Sequence, residues 1–525
     1  MPAATVPGMS TARTLVADFL VVLNRDSSPE QREDYSCSHP VFPDEAWFWS
    51  CFRTAGKVAD LADPGQLRGH FALATRSGST LRILTDAGGM IPVYFASAWG
   101  GWVVGTRQHE VAELASATVD TTSVYDFLGN GAICHPYTWF EGVKVCEPAS
   151  LIVFDAQRNT IEQNPYWVPP AKPRYRNLKS AARALSKALG QAVQDAVDGQ
   201  PISILYSGGE DSRVIGALAK TDRRGFLFLP RPNRELVLAR TSANLLRFPV
   251  DHIVAPPQRY ATQQAEAFSI IGPGFDVAHA HALGCVETIP RDRPCLGGWG
   301  SDTLFKGLYL TARKGKILEN LTATTWKNRV PAHAYEVLRR RQQHLEALRE
   351  LFPRTAYEWQ HFWPLSAHEH YAHFGMTRRY LDQREPFLTA PLVRLAADIH
   401  PFVRADRELF RLAFAKTLGK AGYVPRSNGL IPRYNLAKNE RLQPLVRAAF
   451  WLHDTFVHPK RDQGPWPSIT WKPGPPQSML KEVQWFDDGR LSKWTQVGNL
   501  SRNELNRFVQ IHHLLRKDLK RRSAT

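Results

Sequence analysis

The chain has 525 residues, of which 43% are hydrophobic and 22% are charged, and its 66 lysines and arginines against 49 acidic residues give a formal net charge of +17. This length exceeds what one hydrophobic core usually supports, and the composition excludes a disordered chain, so we expect at least two globular domains. The positive charge favours nucleotide phosphates, an acidic substrate or nucleic acid as partners, but a basic surface that only confers solubility explains it equally well.

Cysteine usage and apolar stretches bear on the compartment. The six cysteines are scattered and include no CxxC pair, which argues against a zinc site and a disulfide framework and favours a reducing environment. The apolar stretch at 15–23 is interrupted by Asp18, so we interpret it as a strand rather than a signal peptide. No apolar run in the sequence approaches the roughly 18 residues that a membrane span needs. We therefore predict a cytoplasmic protein without a membrane span.

The first 165 residues are predicted to form short strands. Gly-rich turns separate several of these segments, which indicates a layered, β-rich domain over 1–165. Prolines at 169, 170 and 173 restrict helix and sheet, and we predict a linker at 166–178. The strand-like segments lie at 15–23, 71–74, 81–84, 93–95, 102–104 and 151–154.

From residue 179 the pattern changes to alternating helices and strands. Such alternation predicts an α/β domain with a parallel sheet wrapped by helices over 179–525, mostly helical from about 310 onward. The predicted helices lie at 182–196, from near 213, and at 235–246, and the predicted strands lie at 202–206, 226–229, 249–254 and 295–296.

A six-residue motif, Ser-Gly-Gly-Glu-Asp-Ser, occupies 207–212 between a predicted strand and a predicted helix. Two glycines let the backbone approach a ligand closely, and amide groups at a helix N-terminus bind anions. Ser207 and Ser212 can donate to phosphate oxygens, whereas Asp211 would repel bare phosphate and therefore indicates a bridging Mg²⁺. The alternative is a tight turn with a purely structural role.

This motif resembles the pyrophosphate-binding loop of the N-type ATP pyrophosphatases, which include the asparagine synthetases. The segments at 298–305 and 384–388 resemble two further motifs of that family. The resemblance implies an adenine nucleotide alpha hydrolase-like fold for the C-terminal domain, with ATP and Mg²⁺ as cofactors. It implies Asp211 and Asp302 as metal ligands, with adenine lying against the second strand. The implied ATP-binding residues are Ser207, Gly208, Gly209, Asp211, Ser212, Leu227, Phe228 and Gly300.

The N-terminal region resembles the glutaminase domain of asparagine synthetases, through segments at 69–73, 86–94 and 140–143. This resemblance implies an Ntn-hydrolase-like layered β/α domain. Glutaminase domains of this kind use an N-terminal cysteine as the nucleophile, whereas this sequence begins Met-Pro-Ala-Ala. We therefore expect a degenerate amidotransferase-like domain that does not release ammonia from glutamine.

Two departures from the family pattern bear on the catalytic groups. Trp299 stands where asparagine synthetases have Glu and β-lactam synthetases have Tyr, and an indole cannot act as a base. This leaves Asp382 as the candidate base, with a capping or ion-paired residue as the alternative. Asn428 stands where the resemblance leads us to expect a lysine. The cations that could replace it are Arg426, Arg433 and Lys438.

The combination of features is most similar to the isopeptide-forming cyclases of lasso peptides. It implies an ATP-dependent ligase that forms a macrolactam in a precursor peptide through an acyl-adenylate, with that peptide and a maturation protease as partners. The alternatives are an amide synthetase that uses ammonia or a small amine, a PP-loop tRNA-modifying protein and a non-catalytic partner. The sequence contains no cysteine pair for sulfur transfer and no recognisable RNA-binding module, so we do not expect a nucleic acid partner.

Overall fold

The computed structural model describes most of the chain, and all structural statements refer to that part. The start of the sequence, on which the expectation of a degenerate amidotransferase domain rests, lies outside it. The described residues are 19–23, 48–50, 67, 69–255, 264–281, 283–313, 316–319, 332–456, 507–508 and 510–511.

Two antiparallel sheets form the N-terminal region. Their strands are β1 (Leu20–Leu23), β2 (Phe48–Ser50), β3 (Ala72–Ser77), β4 (Thr80–Thr85), β5 (Tyr94–Ala98), β6 (Gly101–Gly105), β7 (Lys144–Val145), β8 (Ser150–Asp155) and β9 (Thr160–Pro165). One sheet has the order β1-β6-β5-β7 and the other β2-β3-β4-β8-β9. Alternation along β8 buries Ile152 and Phe154 and leaves Val153 partly exposed, as a strand with one face on the core requires.

A parallel sheet forms the centre of the C-terminal region. Its strands are β10 (Ile202–Leu205), β11 (Arg223–Leu229), β12 (Val250–Val254), β13 (Cys295–Leu296) and β16 (Gln383–Arg384), and a separate hairpin consists of β14 (Leu310–Arg313) and β15 (Lys316–Glu319). The parallel sheet has the order β12-β11-β10-β13-β16. The chain thus runs outward from β10 to β12 and then returns to the other side of β10 at β13. Ligands of such sheets bind where the order reverses, at the carboxyl ends of the strands.

The helices surround these sheets. Their bounds are α1 (Gln108–Leu114), α2 (Thr121–Asn130), α3 (Leu178–Val197), α4 (Glu210–Leu218), α5 (Arg234–Leu245), α6 (Gln264–Ile271), α7 (Ser301–Phe305), α8 (Ala332–Leu351), α9 (Ala356–Trp359), α10 (Ala372–Thr377), α11 (Ala390–Asp398), α12 (Pro401–Arg404), α13 (Glu408–Leu418) and α14 (Leu436–Phe456). Asn177 caps α3 by accepting from the backbone N–H groups of Lys179 and Ser180. Leu185 and Leu189 of α3 are fully buried, as the helical spacing of its apolar residues predicts.

One continuous core joins the two regions. It includes Ile83 and Phe154 from the antiparallel sheets together with Ile202 from the parallel sheet. Backbone hydrogen bonds also cross between the regions, for example from Leu365 N to Gly88 O at 2.8 Å. The division into 1–165, a linker at 166–178 and 179–525 follows the change from antiparallel to parallel pairing, but as a division into domains it stays a prediction.

The structure confirms the mixed α/β fold class and the predicted strands and helices that fall within the described residues. The strands that the prediction missed are β2, β7, β9, β14, β15 and β16. β9 is a largely exposed edge strand, Thr-Ile-Glu-Gln-Asn-Pro, without the alternation that marks a half-buried strand. β16 comprises only two residues and is defined by its pairing. No helix among the described residues is long and apolar enough to cross a membrane.

Candidate active site at the switch point of the parallel sheet

Two loops meet where the strand order reverses. The glycine loop, residues 206–209, follows β10, and the second loop, residues 297–300, follows β13. Ile204 of β10 pairs with Leu296 of β13, so the two loops leave neighbouring strands at the same edge. A Cβ atom on Gly298 would lie 3.0 Å from the Cβ of Asp211. The two sequence motifs are therefore in direct contact, and the contact needs a glycine at 298.

The glycine loop requires a glycine at one position and leaves the N-terminus of α4 open to an anion. Gly208 has φ +69°, and a Cβ atom there would lie 2.7 Å from the backbone Cα of Ala239. Gly209 is the N-cap of α4 and gives the helix no side-chain cap. The first amide groups of α4 thus remain open to an anionic ligand. Ser207 Oγ accepts from Gly209 N at 3.2 Å, which leaves its own hydroxyl proton free to donate.

Three acidic side chains surround a buried lysine beside these loops. Lys306 Nζ lies 3.0 Å from Asp302 Oδ1 and 3.8 Å from Glu210 Oε2, and it donates to Asp211 Oδ1. Two carboxylates, one from α4 and one from α7, therefore converge on one cation. A bridging Mg²⁺ needs the same arrangement of oxygen ligands. Asp211 and Asp302 thus fit the metal site that the sequence predicts, with the ammonium standing where a divalent cation would bind.

The two converging carboxylates have pKa values shifted in opposite directions. Burial raises the pKa of Asp211, and the charge of Asp302 adds to that rise, although Lys306 opposes it. Burial also acts to raise the pKa of Asp302, but the Lys306 ammonium, with Arg407 and Arg426, outweighs it and holds that pKa below its usual range. Asp302 is therefore the carboxylate that these cations keep ionised.

The arginines that face this cluster come from the late part of the chain. Glu210 Oε2 accepts from Arg407 Nη2 at 2.5 Å and lies 3.8 Å from Arg426 Nη1. Arg426 belongs to the late loop, residues 425–429. The structure thus brings Arg426, a predicted cation, to the glycine loop.

A buried arginine holds the late loop in that place. Arg213 is fully buried and donates through Nε to Gly208 O at 2.8 Å and through Nη2 to Pro425 O at 3.0 Å. Its Nη1 donates to the carbonyls of Ala421 and Val424. Burial lowers the pKa of Arg213 to about 10, so the guanidinium stays charged at neutral pH. Arg213 therefore ties the glycine loop to the backbone that leads into the late loop.

Three buried polar atoms of the site have no hydrogen-bond partner within the described part of the chain. They are Trp299 Nε1, Ser301 Oγ and Arg426 Nη1. Buried polar groups are nearly always satisfied, so each exception points to a water or a ligand. All three can donate, which suits an anionic ligand such as a nucleotide.

The structure pairs Asp382, the predicted base, with a neighbour. Its two carboxylate oxygens accept from Arg384 Nε at 3.1 Å and Nη2 at 2.7 Å, which matches the ion-paired alternative. Its assignment as the base stays a prediction. Glu385, three residues later, is the fully buried carboxylate that contacts the second loop, because it accepts from Trp299 N at 2.9 Å. Burial raises the pKa of Glu385 to about 7.

Two other predicted cations lie in different surroundings from Arg426. Arg433 donates to Ala415 O, and Lys438 Nζ lies 3.8 Å from the centre of the Tyr434 ring. Neither side chain is brought to the glycine loop by these contacts.

The two predicted adenine contacts lie on β11, next to β10, where Leu227 is buried and Phe228 is partly buried. Their contact with adenine stays a prediction.

Sequence reasoning missed Lys306, Arg407, Arg213 and Glu385. A signal existed for Lys306, because it lies four residues after Asp302 and directly follows the second motif. Residues four apart share one face of a helix. Glu385 stands inside the third motif but was not assigned a role. No local signal marks Arg407, whose partner Glu210 lies 197 residues away, or the contact of Arg213 with Pro425, which lies 212 residues away.

The N-terminal region also contacts this site. The buried His70 accepts from Glu385 N through Nε2 at 3.3 Å, and burial lowers the pKa of His70 to about 4. The neighbouring Phe71 N donates to Asp86 at 3.2 Å. The segment at 69–73, which resembles a glutaminase motif, therefore packs behind the third motif of the C-terminal region.

Parts of the chain are similar to known protein families and structures. The family model described as asparagine synthase matches residues 184–427. No curated protein matches the chain. Similar solved structures include the glutamine phosphoribosylpyrophosphate (PRPP) amidotransferase from B. subtilis complexed with ADP and GMP, at 13% identity and a TM-score of 0.15 over 39% of this chain and 40% of that chain.

A second similar structure is described as the allosteric regulatory enzyme of purine biosynthesis, at 12% identity and a TM-score of 0.16 over 39% of this chain and 52% of that chain. The chain thus spans about half or less of the length of these two structures. The family match covers the glycine loop, the second loop and most of the late loop. Residues 184–427 are therefore an asparagine synthetase-like domain, of a family of ATP-dependent ligases that form amide bonds.

Proposed function

We propose that this chain is an ATP-dependent macrolactam synthetase, which adenylates a carboxylate of a precursor peptide and joins it to an amine of the same peptide. The observation that carries the proposal is the convergence of Asp211 and Asp302 on one cation beside the open N-terminus of α4. That arrangement suits a magnesium-bound triphosphate. It would place the α-phosphate near the edge of the sheet, where a substrate carboxylate has access.

The first half-reaction forms an acyl-adenylate. A carboxylate oxygen of the substrate attacks the α-phosphorus, the bond from that phosphorus to the bridging oxygen of the β-phosphate breaks, and pyrophosphate leaves. The backbone N–H groups of the glycine loop and of the first turn of α4 bind the leaving group, and Arg426 faces it from the late loop. Bound Mg²⁺ would supply further neutralisation of the phosphate charge. Fixed donors of this kind stabilise charge that develops in the transition state.

The second half-reaction forms the amide. The amine nitrogen attacks the acyl carbonyl, the bond to AMP breaks, and the proton of the amine passes to a base. The Trp299 indole cannot accept that proton, so Asp382 remains the proposed base. Because the amine belongs to the same molecule as the acyl group, holding the peptide in place replaces a bimolecular encounter.

The choice of a peptide substrate rests on the resemblance to lasso peptide cyclases and on Trp299 in place of the Glu or Tyr of the better-defined relatives. The runner-up is an amide synthetase that uses ammonia or a small amine, with the same adenylation step. A maturation protease as partner belongs to the first proposal only. The two proposals predict different product masses.

The test is intact-mass analysis of candidate linear precursor peptides after incubation with the protein and MgATP. We expect loss of one water per peptide, with AMP and pyrophosphate formed in equal amounts. The Asp302→Asn variant should lose this product, and Lys416→Met, at an exposed lysine of α13, is the matched control.

Other outcomes of this experiment contradict the proposal. A product that gains an amine, or one that joins two molecules, would instead support the small-amine synthetase or an intermolecular ligase. If no candidate acid supports ATP–pyrophosphate exchange, adenylation itself is refuted.

A further inference from the structure

Lys306 is a deeply buried cation of the candidate site. Its side chain is only 1% exposed, although its ammonium lies among the three carboxylates of Glu210, Asp211 and Asp302. Phe410 closes the remaining side, with its ring centre 4.4 Å from Nζ. A lysine is rarely buried unless it is paired, so this position is held by the carboxylates.

The late loop does not offer an equivalent lysine. Asn428 stands where the sequence leads us to expect that residue, and its Oδ1 accepts from Leu430 N at 3.1 Å. Arg426 faces Glu210 instead, at 3.8 Å. The late loop thus contributes one guanidinium, whereas the lysine that contacts Asp211 and Asp302 is Lys306, which directly follows α7.

Binding of a magnesium-bound nucleotide would change the partners of Lys306. Asp211 and Asp302 would serve as oxygen ligands of a magnesium ion bound with the nucleotide. The ammonium of Lys306 and the metal ion cannot both occupy the position between these two carboxylates. Without them Lys306 retains Glu210 at 3.8 Å and the face of Phe410 at 4.4 Å. A buried ammonium with so few hydrogen-bond acceptors is unfavourable. Phosphate oxygens of a nucleotide beside the glycine loop would replace the lost acceptors.

We propose that Lys306 is a catalytic residue that leaves Asp211 and Asp302 when MgATP binds and donates to oxygens of the departing pyrophosphate. In the nucleotide-free protein the same ammonium keeps the two carboxylates together in the geometry that the metal needs. This inference rests on the proposed adenylation function. It assigns to Lys306 the charge that the late loop lacks at Asn428. No covalent step is added, because the lysine only stabilises charge on the leaving group.

The test measures equilibrium binding by isothermal titration calorimetry, with magnesium pyrophosphate as one ligand and AMP as the other. For Lys306→Met we expect about 10- to 100-fold weaker binding of magnesium pyrophosphate, the loss that removal of a charge-assisted hydrogen bond gives. AMP binding should be unchanged, because AMP lacks the pyrophosphate. Lys416→Met, at an exposed lysine, is the matched control and should bind both ligands like the wild type.

A second measurement reports on the nucleotide-free site. Mn²⁺ binding, followed by electron paramagnetic resonance without any phosphate ligand, should be tighter in Lys306→Met than in the wild type, because no ammonium then competes for Asp211 and Asp302. If the methionine variant does not fold, Lys306→Gln carries both comparisons, since its amide can still donate to the carboxylates without a charge.

These outcomes separate the two proposals. If the wild type binds magnesium pyrophosphate and the Lys306 variants bind it equally well, the role of Lys306 is refuted while adenylation stands. Equal losses of pyrophosphate and AMP binding would also refute it, because they indicate a general loss of site structure. If the wild type binds neither MgATP nor magnesium pyrophosphate, the proposed function itself fails.

Discussion

Replacing Arg213 by methionine removes the guanidinium that ties the glycine loop to the segment before the late loop. The side chain is fully buried and donates to four carbonyl oxygens, those of Gly208, Ala421, Val424 and Pro425. Methionine fills a similar space but cannot donate. All four acceptors would therefore lose a charged donor in a place that water does not reach.

The magnitude follows from these contacts. A buried polar group left without its partner costs about 1–3 kcal/mol, but a carbonyl oxygen with a second lone pair tolerates the loss better than an N–H group. Removing a buried charge also recovers part of its desolvation cost. We therefore expect Arg213→Met to lower the free energy of unfolding by about 3–5 kcal/mol, less than four full penalties. We also expect Arg213→Met to bind MgATP about tenfold more weakly than the wild type, because Arg426 would no longer be held beside Glu210.

The assay is urea unfolding followed by far-ultraviolet circular dichroism, with MgATP binding measured on the folded protein by calorimetry. Arg213→Lys should fall between the wild type and the methionine variant, since one ammonium cannot reach all four carbonyls. The control is Arg183→Met, at an exposed position of α3, which should change stability by less than about 0.5 kcal/mol. The reasoning is refuted if Arg213→Met unfolds within about 1 kcal/mol of the wild type and binds MgATP equally well.

Three further substitutions probe the loops and the third motif. Gly208→Ala should destabilise the protein by at least about 2 kcal/mol and abolish magnesium pyrophosphate binding, because φ is +69° and the new Cβ would lie 2.7 Å from the Cα of Ala239; thermal unfolding and calorimetry measure this. Asp382→Asn should cost about 1–3 kcal/mol, because both carboxylate oxygens are bound by Arg384. ATP–pyrophosphate exchange per folded molecule should stay unchanged, because the proposed base acts only after adenylation. Glu385→Gln should remove a loss of stability that the wild type shows as pH rises. Burial raises the pKa of Glu385 to about 7 from an ordinary value of 4.5, so between these pH values the folded state holds more protons than the unfolded state. The protonated Glu385 therefore contributes about 3 kcal/mol of stability below pH 4.5, and this contribution is lost as pH rises through 7. Urea unfolding at several pH values measures the loss.

Matched controls and contrary results define these three tests. Gly190→Ala, inside α3 with no atom near the new Cβ, should stabilise the protein, since alanine is the better helix former. As the proposed base, Asp382 should be needed for amide formation, so an Asp382→Asn variant that adenylates and still forms the amide at the wild-type rate would refute that role. Exposed Glu346→Gln is the control for Glu385→Gln. Equal pH dependence of stability in the wild type and Glu385→Gln would contradict the burial argument.

The sequence by itself determined the elements around the site. The spacing of Leu185 and Leu189 predicted α3, and the apolar run at 202–206 followed by the hexapeptide predicted a strand, an anion loop and a helix. These features depend on neighbours within a few residues, because helical and strand periods are local properties. The pairing of Asp211 with Asp302 came instead from the resemblance to the N-type ATP pyrophosphatases, which implied that both are metal ligands.

The pairing of Asp382 lay within reach of the sequence but was left open. Asp382 and Arg384 are two residues apart in an extended segment, so their side chains leave the same face of the chain. An ion pair was therefore predictable at this position. Which carboxylate contacts the second loop was not, because Glu385 meets Trp299 only when β16 has been placed beside β13.

Only the tertiary structure decided which cations serve the site. Arg426 was one of several candidates, and its approach to Glu210 separates it from Arg433 and Lys438. Lys306 meets Asp211 across 95 residues of sequence, and Arg213 meets Pro425 across 212. Such contacts are set by the strand order, which brings the ends of β10 and β13 to one edge and folds the late loop over them. Local periodicity carries no information about that order, because it records which face of an element is buried and not which residues lie opposite it.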